Sequence, residues 1–182
     1  ESRADQTEAL LLTEDSSLAR FTPTGIHQHV AERNRTLILR VVLGKRIAVV
    51  STNILQPSSL KTLMQKAISL AKIQPANEAF VSLPGPKPTP AINTFFKNIR
   101  HLTPGRKVRI IQEIMTRVQE KGFGASGAFS HGEVELAVVN SLGVEACQEF
   151  SDLFLHLIVQ NGKGSGYASF VSRDYDQLAV EP

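Results

Sequence analysis

Two of the chain's five histidines stand one residue apart, in the stretch GIHQHVAERN at 25–34. Side chains two positions apart share one face of a strand, so His27 and His29 would aim two imidazoles at one spot, as many metal sites begin. Ile26 and Val30 take the opposite face, which leaves both histidines on the more polar side. The reading is of a scaffold strand that holds no metal.

Other groupings carry less. Cys147, the only cysteine, could be matched with His156 as nucleophile and base, but nothing in the sequence brings the two together. A half-buried strand cysteine is the simpler expectation. GKGSGYAS at 162–169 contains Gly-x-Gly, yet it falls where a hairpin is expected and no helix follows at once, so a phosphate cradle is not indicated. HGE at 131–133 and SRDYD at 172–176 read as turns, the second opening a helix. There is no His-Glu-x-x-His, Walker loop, Gly-x-Ser-x-Gly or Cys-x-x-Cys. No catalytic, cofactor-binding or metal-ligating residue is therefore assigned.

The elements that would position such residues suit an ordinary globular protein. The chain has 182 residues, 42% apolar and 20% charged, enough for one large domain or two small ones. Aromatics make up 6% and Trp is absent, which argues against a base-stacking platform and against a nucleic-acid partner. One cysteine excludes internal disulfides and suits a reducing cytoplasm. No apolar run matches a membrane span and residues 1–20 lack a signal-peptide layout, so a cytoplasmic protein with no membrane partner is expected. The chain begins with Glu, which reads as a trimmed protein or a fragment. Net charge is +3, and the densest basic stretch is KNIRHLTPGRKVR at 97–109. It reads as a solvated linker entering a helix; the alternative is an anion-facing patch of Arg100, Arg106, Lys107 and Arg109.

Along the chain, EALLLTED (8–15) reads as a strand. GIHQHVAE and TLILRVVL read as two more, joined by a turn at Asn34 and Arg35, and Gly44-Lys45 leads into RIAVVSTN. Four short strands in succession make a meander. Pro57 opens a helix that runs to Gln74, with Leu60, Leu63, Met64, Ala67, Ile68 and Ala71 on one stripe. LPGPKPTP (83–90) packs four prolines into eight residues and reads as an extended linker. Residues 106–121 form a second amphipathic helix burying Val108, Ile111, Ile114, Met115 and Val118, stopped by Gly122 and Gly124, after which strands resume. The expected organisation is a first α+β subdomain over 1–82, a linker over 83–105 and a second subdomain over 106–182.

A shift of 118 residues lays 8–60 over 126–178. Only ten of the fifty-three pairs are identical, but they include both connection glycines, Gly25/Gly143 and Gly44/Gly162, and the strand residues Leu37/Leu155, Leu39/Leu157 and Val41/Val159. The expected fold class is thus α+β, with two related antiparallel or mixed sheets, each packed with helices by internal duplication. On this shift His27 and His29 lie over Glu145 and Cys147, so the imidazoles are not repeated. A further helix is expected just past Leu178.

Several stretches together resemble a known family. ADQTEALLLTEDSSLARFTPTGIHQHVAERN, RVVLGKRIAVVSTNIL and LKTLMQKAISLAKIQPANEAFVSLPGP resemble the opening domain of the TldD/PmbA family, also called modulators of DNA gyrase. AVVNSLGVEACQEFSDLFLHLIVQNGKGSGYAS resembles its middle domain, with the turn Asn140-Ser141-Leu142-Gly143. The resemblance implies a cytoplasmic protein involved in proteolysis, acting on peptides or unfolded proteins as a homo- or heterodimer of related subunits. It implies zinc held by a His-Glu-x-x-x-His motif and a cysteine in a C-terminal domain of the TldD-type subunit; that motif does not occur in this sequence, and Cys147 belongs to the middle-domain pattern. The chain would then be the non-catalytic N-terminal region of a metallopeptidase, forming scaffold, substrate chamber and subunit interface. The alternative is a regulatory binding module associated with DNA gyrase or nucleic acid, without peptidase chemistry.

Overall fold

The computed structural model describes residues 4–88 and 90–178. Six strands and two helices account for most of them. They are β1 (Gln6–Thr22), β2 (Gly25–Leu43), β3 (Arg46–Thr52), α1 (Pro57–Ile73), α2 (Pro104–Glu120), β4 (Gly124–Asn140), β5 (Glu145–Asn161) and β6 (Gly164–Ser172). Short 3₁₀ turns lie at Lys97–His101 and Tyr175–Gln177. The strands form one antiparallel sheet in the order β3-β2-β1-β4-β5-β6, and the fold class is α+β.

One sheet replaces the two that the sequence suggested. Asn34 and Arg35 make no turn: β2 runs straight through them. The segment Ala31–Arg35 is exposed, so its polarity reflects solvent contact and not a reversal. Among the described residues no non-glycine has positive φ, and this stretch holds neither Gly nor Pro to break an extended chain. Residues 8–15 are likewise part of the longer β1, and His131, Gly132 and Glu133 sit inside β4 instead of at a turn.

Two of the tight reversals are held by an asparagine side chain. At the β4–β5 connection the Asn140 Oδ1 accepts the N–H of Leu142 and of Val144 at 2.9 and 3.0 Å. Gly143 supplies φ 93°, a value that side chains resist. At the β5–β6 reversal the Asn161 Oδ1 accepts from the N–H groups of Lys163 and Gly164.

Two compact units interleave along the chain. The first takes Glu1–Thr13, Asn34–Ile92 and Glu135–Gln148; the second takes Glu14–Arg33, Asn93–Val134 and Glu149–Pro182. This division departs from subdomains at 1–82 and 106–182 about a linker at 83–105. The prolines at 84–90 belong to the first unit, because the chain around them is tied down. Leu83 is buried, its N–H donates to Gln6 Oε1 at 2.8 Å, and Pro84 O accepts from Asn140 Nδ2 at 2.8 Å.

In the first unit, α1 turns Leu63, Ala67 and Ala71 onto Leu39, Val41 and Ala48. The spacing of three and four residues puts these three on one helix face, and the two alanines let the backbones approach closely. In the second unit, Ile111 and Ile114 of α2 meet Ala19, Phe21, Ala125, Phe129, Leu153 and Leu155. Thr103 caps α2, its side chain accepting from Arg106 N at 3.3 Å, and Pro104 occupies the first turn. Buried Ser151 ties in the segment ahead of that helix: its Oγ accepts from Phe96 N at 2.9 Å and donates to Arg173 O at 2.7 Å.

The shift of 118 residues carries the bounds of β1 onto those of β4, and the start of β3 onto that of β6. It also carries the pairing Val41↔Ala48 onto Val159↔Gly166, so the two edge hairpins share one register. The helix expected past Leu178 lies outside the described residues.

Gly127 in β4 has no room for a side chain. A Cβ there would overlap His156 O and come within 2.8 Å of the Phe21 ring and 3.0 Å of Leu157 Cα. Two of these are backbone atoms of β5, which cannot retreat without loss of ladder bonds. Gly127→Ala should cost about 2–4 kcal/mol of stability, whereas Gly162→Ala, with nothing within 4 Å, should be close to neutral. Urea unfolding of both variants checks this, and equal midpoints would refute the steric account.

Candidate functional site

A cleft of about 410 Å³ in the second unit gathers serine, histidine, arginine and carboxylate side chains. β1 contributes Asp15, Ser16 and Ser17, β2 contributes Ala31 and Arg33, and β4 contributes His131 and Glu133. The segment entering α2 closes it with Ile99, Arg100, Leu102 and Pro104.

Beneath the cleft lies Lys107, fully buried. Its Nζ is 2.9 Å from Ser17 O and 2.8 Å from Ser17 Oγ, and stands 5.6 Å from the centre of the Phe129 ring. Among the described residues no carboxylate pairs with it. Burial therefore lowers its pKa to about 8, because a charged amine loses its hydration there. Lys107 is buried through helix geometry: with Ile111 and Ile114 it makes the stripe that α2 turns inward.

His131 stands in the same environment. Its Nδ1 is buried with no hydrogen-bond partner among the described residues. Burial first, then the charges of Lys107 and His29, depress its pKa to about 4, partly opposed by Glu133. The ring is neutral at neutral pH. At the cleft wall, Arg100 holds Glu133 in a two-pronged ion pair, Nε to Oε1 and Nη2 to Oε2, both at 2.7 Å. That carboxylate raises the Arg100 pKa. Arg33 Nε lies 3.4 Å from Asp15 Oδ2.

The residues singled out from sequence fall in different places. His27 and His29 are exposed on β2, while Ile26 packs against the core, as the alternation required. His29 reaches toward the cleft, with Nε2 3.4 Å from Ser17 Oγ. Glu145 and Cys147 are exposed on β5 in the first unit, so Cys147 is not half-buried. Cys147 and His156 lie nine residues apart on one strand, about 30 Å of extended chain, and cannot act together. No group of three or more His, Cys, Asp or Glu side chains is placed to hold a metal among the described residues.

The basic segment is not a four-cation surface. Lys107 is in the core and Arg100 is ion-paired, which leaves Arg106 and Arg109 exposed beyond the pair. GKGSGYAS forms the β5–β6 hairpin, and SRDYD opens the 3₁₀ turn at Tyr175–Gln177, capped by Asp174. Sequence reasoning missed Ser17, Lys107 and His131 as a group. One signal was available: position 107 precedes Ile111 by four residues and Ile114 by seven, so it lies on the buried stripe.

No family profile and no curated protein matches the chain. Solved structures do. TldE from Thermococcus kodakarensis is similar with a TM-score of 0.80 at 20% identity, over 94% of this chain and 40% of that one. A "putative modulator of DNA gyrase" from Bacteroides thetaiotaomicron gives 0.81 at 18% identity, over 97% of this chain and 43% of that one. A protein of the same description from Thermotoga maritima gives 0.81 at 13% identity, over 96% and 41%. The chain shares their fold and spans about two fifths of their length.

The depressed pKa of His131 has a sign that can be measured. Between about 4 and about 6.5 the unfolded chain binds a proton that the folded chain refuses, so stability falls as pH is lowered through that window. His131 should account for about 2–3 kcal/mol of the fall. His131→Gln should flatten the difference between urea midpoints at pH 4.5 and pH 7; an unchanged slope would show that the imidazole is not held neutral.

Proposed function

We propose that the chain is the N-terminal, non-catalytic region of a TldD/PmbA-type metallopeptidase, serving as scaffold and as a contact surface for peptide substrate or a related subunit. The carrying observation is the likeness of fold over nearly all of this chain but only two fifths of TldE and of the two proteins described as modulators of DNA gyrase. The equal order and register of the two meanders supports reading them as an internal repeat.

The zinc that the resemblance implies has no donor set among the described residues. The metal chemistry would belong to a domain beyond this chain. What this chain offers is surface. β6 stands at the end of the sheet, where no further strand of the described residues pairs with it, and such an edge can take an added strand. On the face of β5 and β6 opposite Leu153 and Leu155, Ile158, Tyr167 and Val171 are 46%, 65% and 71% exposed. Large apolar side chains left together in solvent mark a contact surface, because their burial would stabilise a complex by roughly 25 cal/mol per Å².

The alternative, a regulatory module for DNA gyrase or nucleic acid, loses Lys107 from its cationic patch. It retains Arg106 and Arg109 on the surface.

In the full-length protein, peptidase activity should vanish with a zinc chelator and return with zinc. Tyr167→Asp with Val171→Asp should weaken subunit association or peptide binding at least tenfold with thermal unfolding unchanged. Activity that survives chelation would sink the zinc assignment, and unaltered association and peptide binding would sink the surface.

A further inference from the structure

We propose that Ser17 is a nucleophile activated by Lys107, a serine–lysine pair that takes acyl groups from small esters or peptides without a metal. The inference goes beyond the reading above, which gives no chemistry to this chain, and it does not depend on it.

A buried lysine ordinarily extends its ammonium to water or meets a carboxylate. Lys107 does neither: its nitrogen ends against a hydroxyl on the cleft wall. Burial holds it near a pKa of 8, so a useful fraction is neutral amine at physiological pH. A neutral amine has two N–H groups and one lone pair. One N–H can donate to Ser17 O at 2.9 Å, which turns the lone pair toward the Ser17 hydroxyl proton at 2.8 Å. The same residue thus supplies the nucleophile and the backbone oxygen that orients its base. Ser–Lys pairs of this type activate serine on several unrelated folds.

The step balances. Ser17 Oγ attacks the acyl carbon as its proton passes to Lys107 Nζ, and the carbonyl π pair moves onto oxygen. Collapse expels an alkoxide or amine that takes the proton back from the Lys107 ammonium, leaving an acyl-serine. Water then attacks that ester, giving its proton to Nζ, and Ser17 leaves with it. Arg33 and Arg100, paired with Asp15 and Glu133, line the same cleft as Ser17, and an oxyanion turned toward either guanidinium would be stabilised by its charge. Ile99 and Leu102 favour a small apolar acyl group.

A fluorophosphonate probe reports the pair directly, since Oγ displaces fluoride from phosphorus while Lys107 takes the proton. The purified protein is treated with excess probe and a zinc chelator, then analysed by intact mass and peptide mapping. One adduct on Ser17 is expected, absent in Ser17→Ala. Its rate should rise about tenfold from pH 7 to pH 9 as Lys107 loses its proton. His29 and His131, the carboxylates of Asp15 and Glu133 and the guanidiniums of Arg33 and Arg100 surround it, so His29→Gln is run in parallel and should keep that rise. Lys107→Met should label at least tenfold more slowly. If that variant does not fold, the pH profile of the native protein decides. The proposal is overturned by no adduct on folded protein at pH 9, an adduct elsewhere, a flat profile, a rise lost with His29→Gln, labelling of folded Lys107→Met at the native rate, or labelling abolished by the chelator. Loss of peptidase activity to the chelator bears only on the zinc reading.

Discussion

Four strands of 17 to 19 residues each serve two cores. The compact units change over inside β1, β2, β4 and β5, near residues 13, 33, 134 and 148, and not at loops. Register is the constraint on which everything else depends. A slip of one residue would turn every side chain of a strand to the other face, and here it would do so in both units at once. The hydrophobic patterns at the two ends of each strand must therefore agree, which makes the pairing strongly determined. The tight Asn140 and Asn161 reversals fit this demand, since a fixed turn fixes the register of the hairpin it closes.

On that frame each unit has its own helix, and the two helices solve different problems. α1 presents a small, apolar stripe ending in Ala67 and Ala71, which suits close packing on β2 and β3. α2 carries Lys107 on the equivalent inward face. Burying an amine without a carboxylate costs stability, and the compensation is two oxygens of Ser17 and the face of Phe129. His131 is buried nearby with an unsatisfied nitrogen. Two depressed pKa values in one cleft are more polar strain than packing needs, and such strain gathers at functional sites.

Much of the architecture could be read from residues alone. The stripe of α1 and its start at Pro57 follow from local rules and hold in the structure, whereas α2 begins at Pro104, two residues ahead of the expected 106. The 118-residue shift read from the sequence carries the bounds of β1 onto β4 and the start of β3 onto that of β6, since a strand's alternation and its connection glycines leave a linear trace. The histidine pair was also legible: the apolar partners at 26 and 30 set the face, and the face sent His27 and His29 to solvent. What failed was the reading of polarity as reversal. AERNR at 31–35 is polar because it is exposed in mid-strand, and HGE at 131–133 is polar inside β4.

The sequence by itself determined both helices, the inward stripe of α1 and the face of β2 that carries His27 and His29, since those depend on neighbours within about four positions. Only the tertiary structure decided that the six strands form one sheet and that its long strands are shared between units. It also placed a serine from β1 beside a lysine 90 residues away on α2. Those outcomes depend on pairing between segments far apart in the chain, and a cleft assembled from β1, β2, β4 and α2 leaves no pattern in any one of them. A lysine on an apolar stripe hinted at burial. What it would meet there was set by the fold.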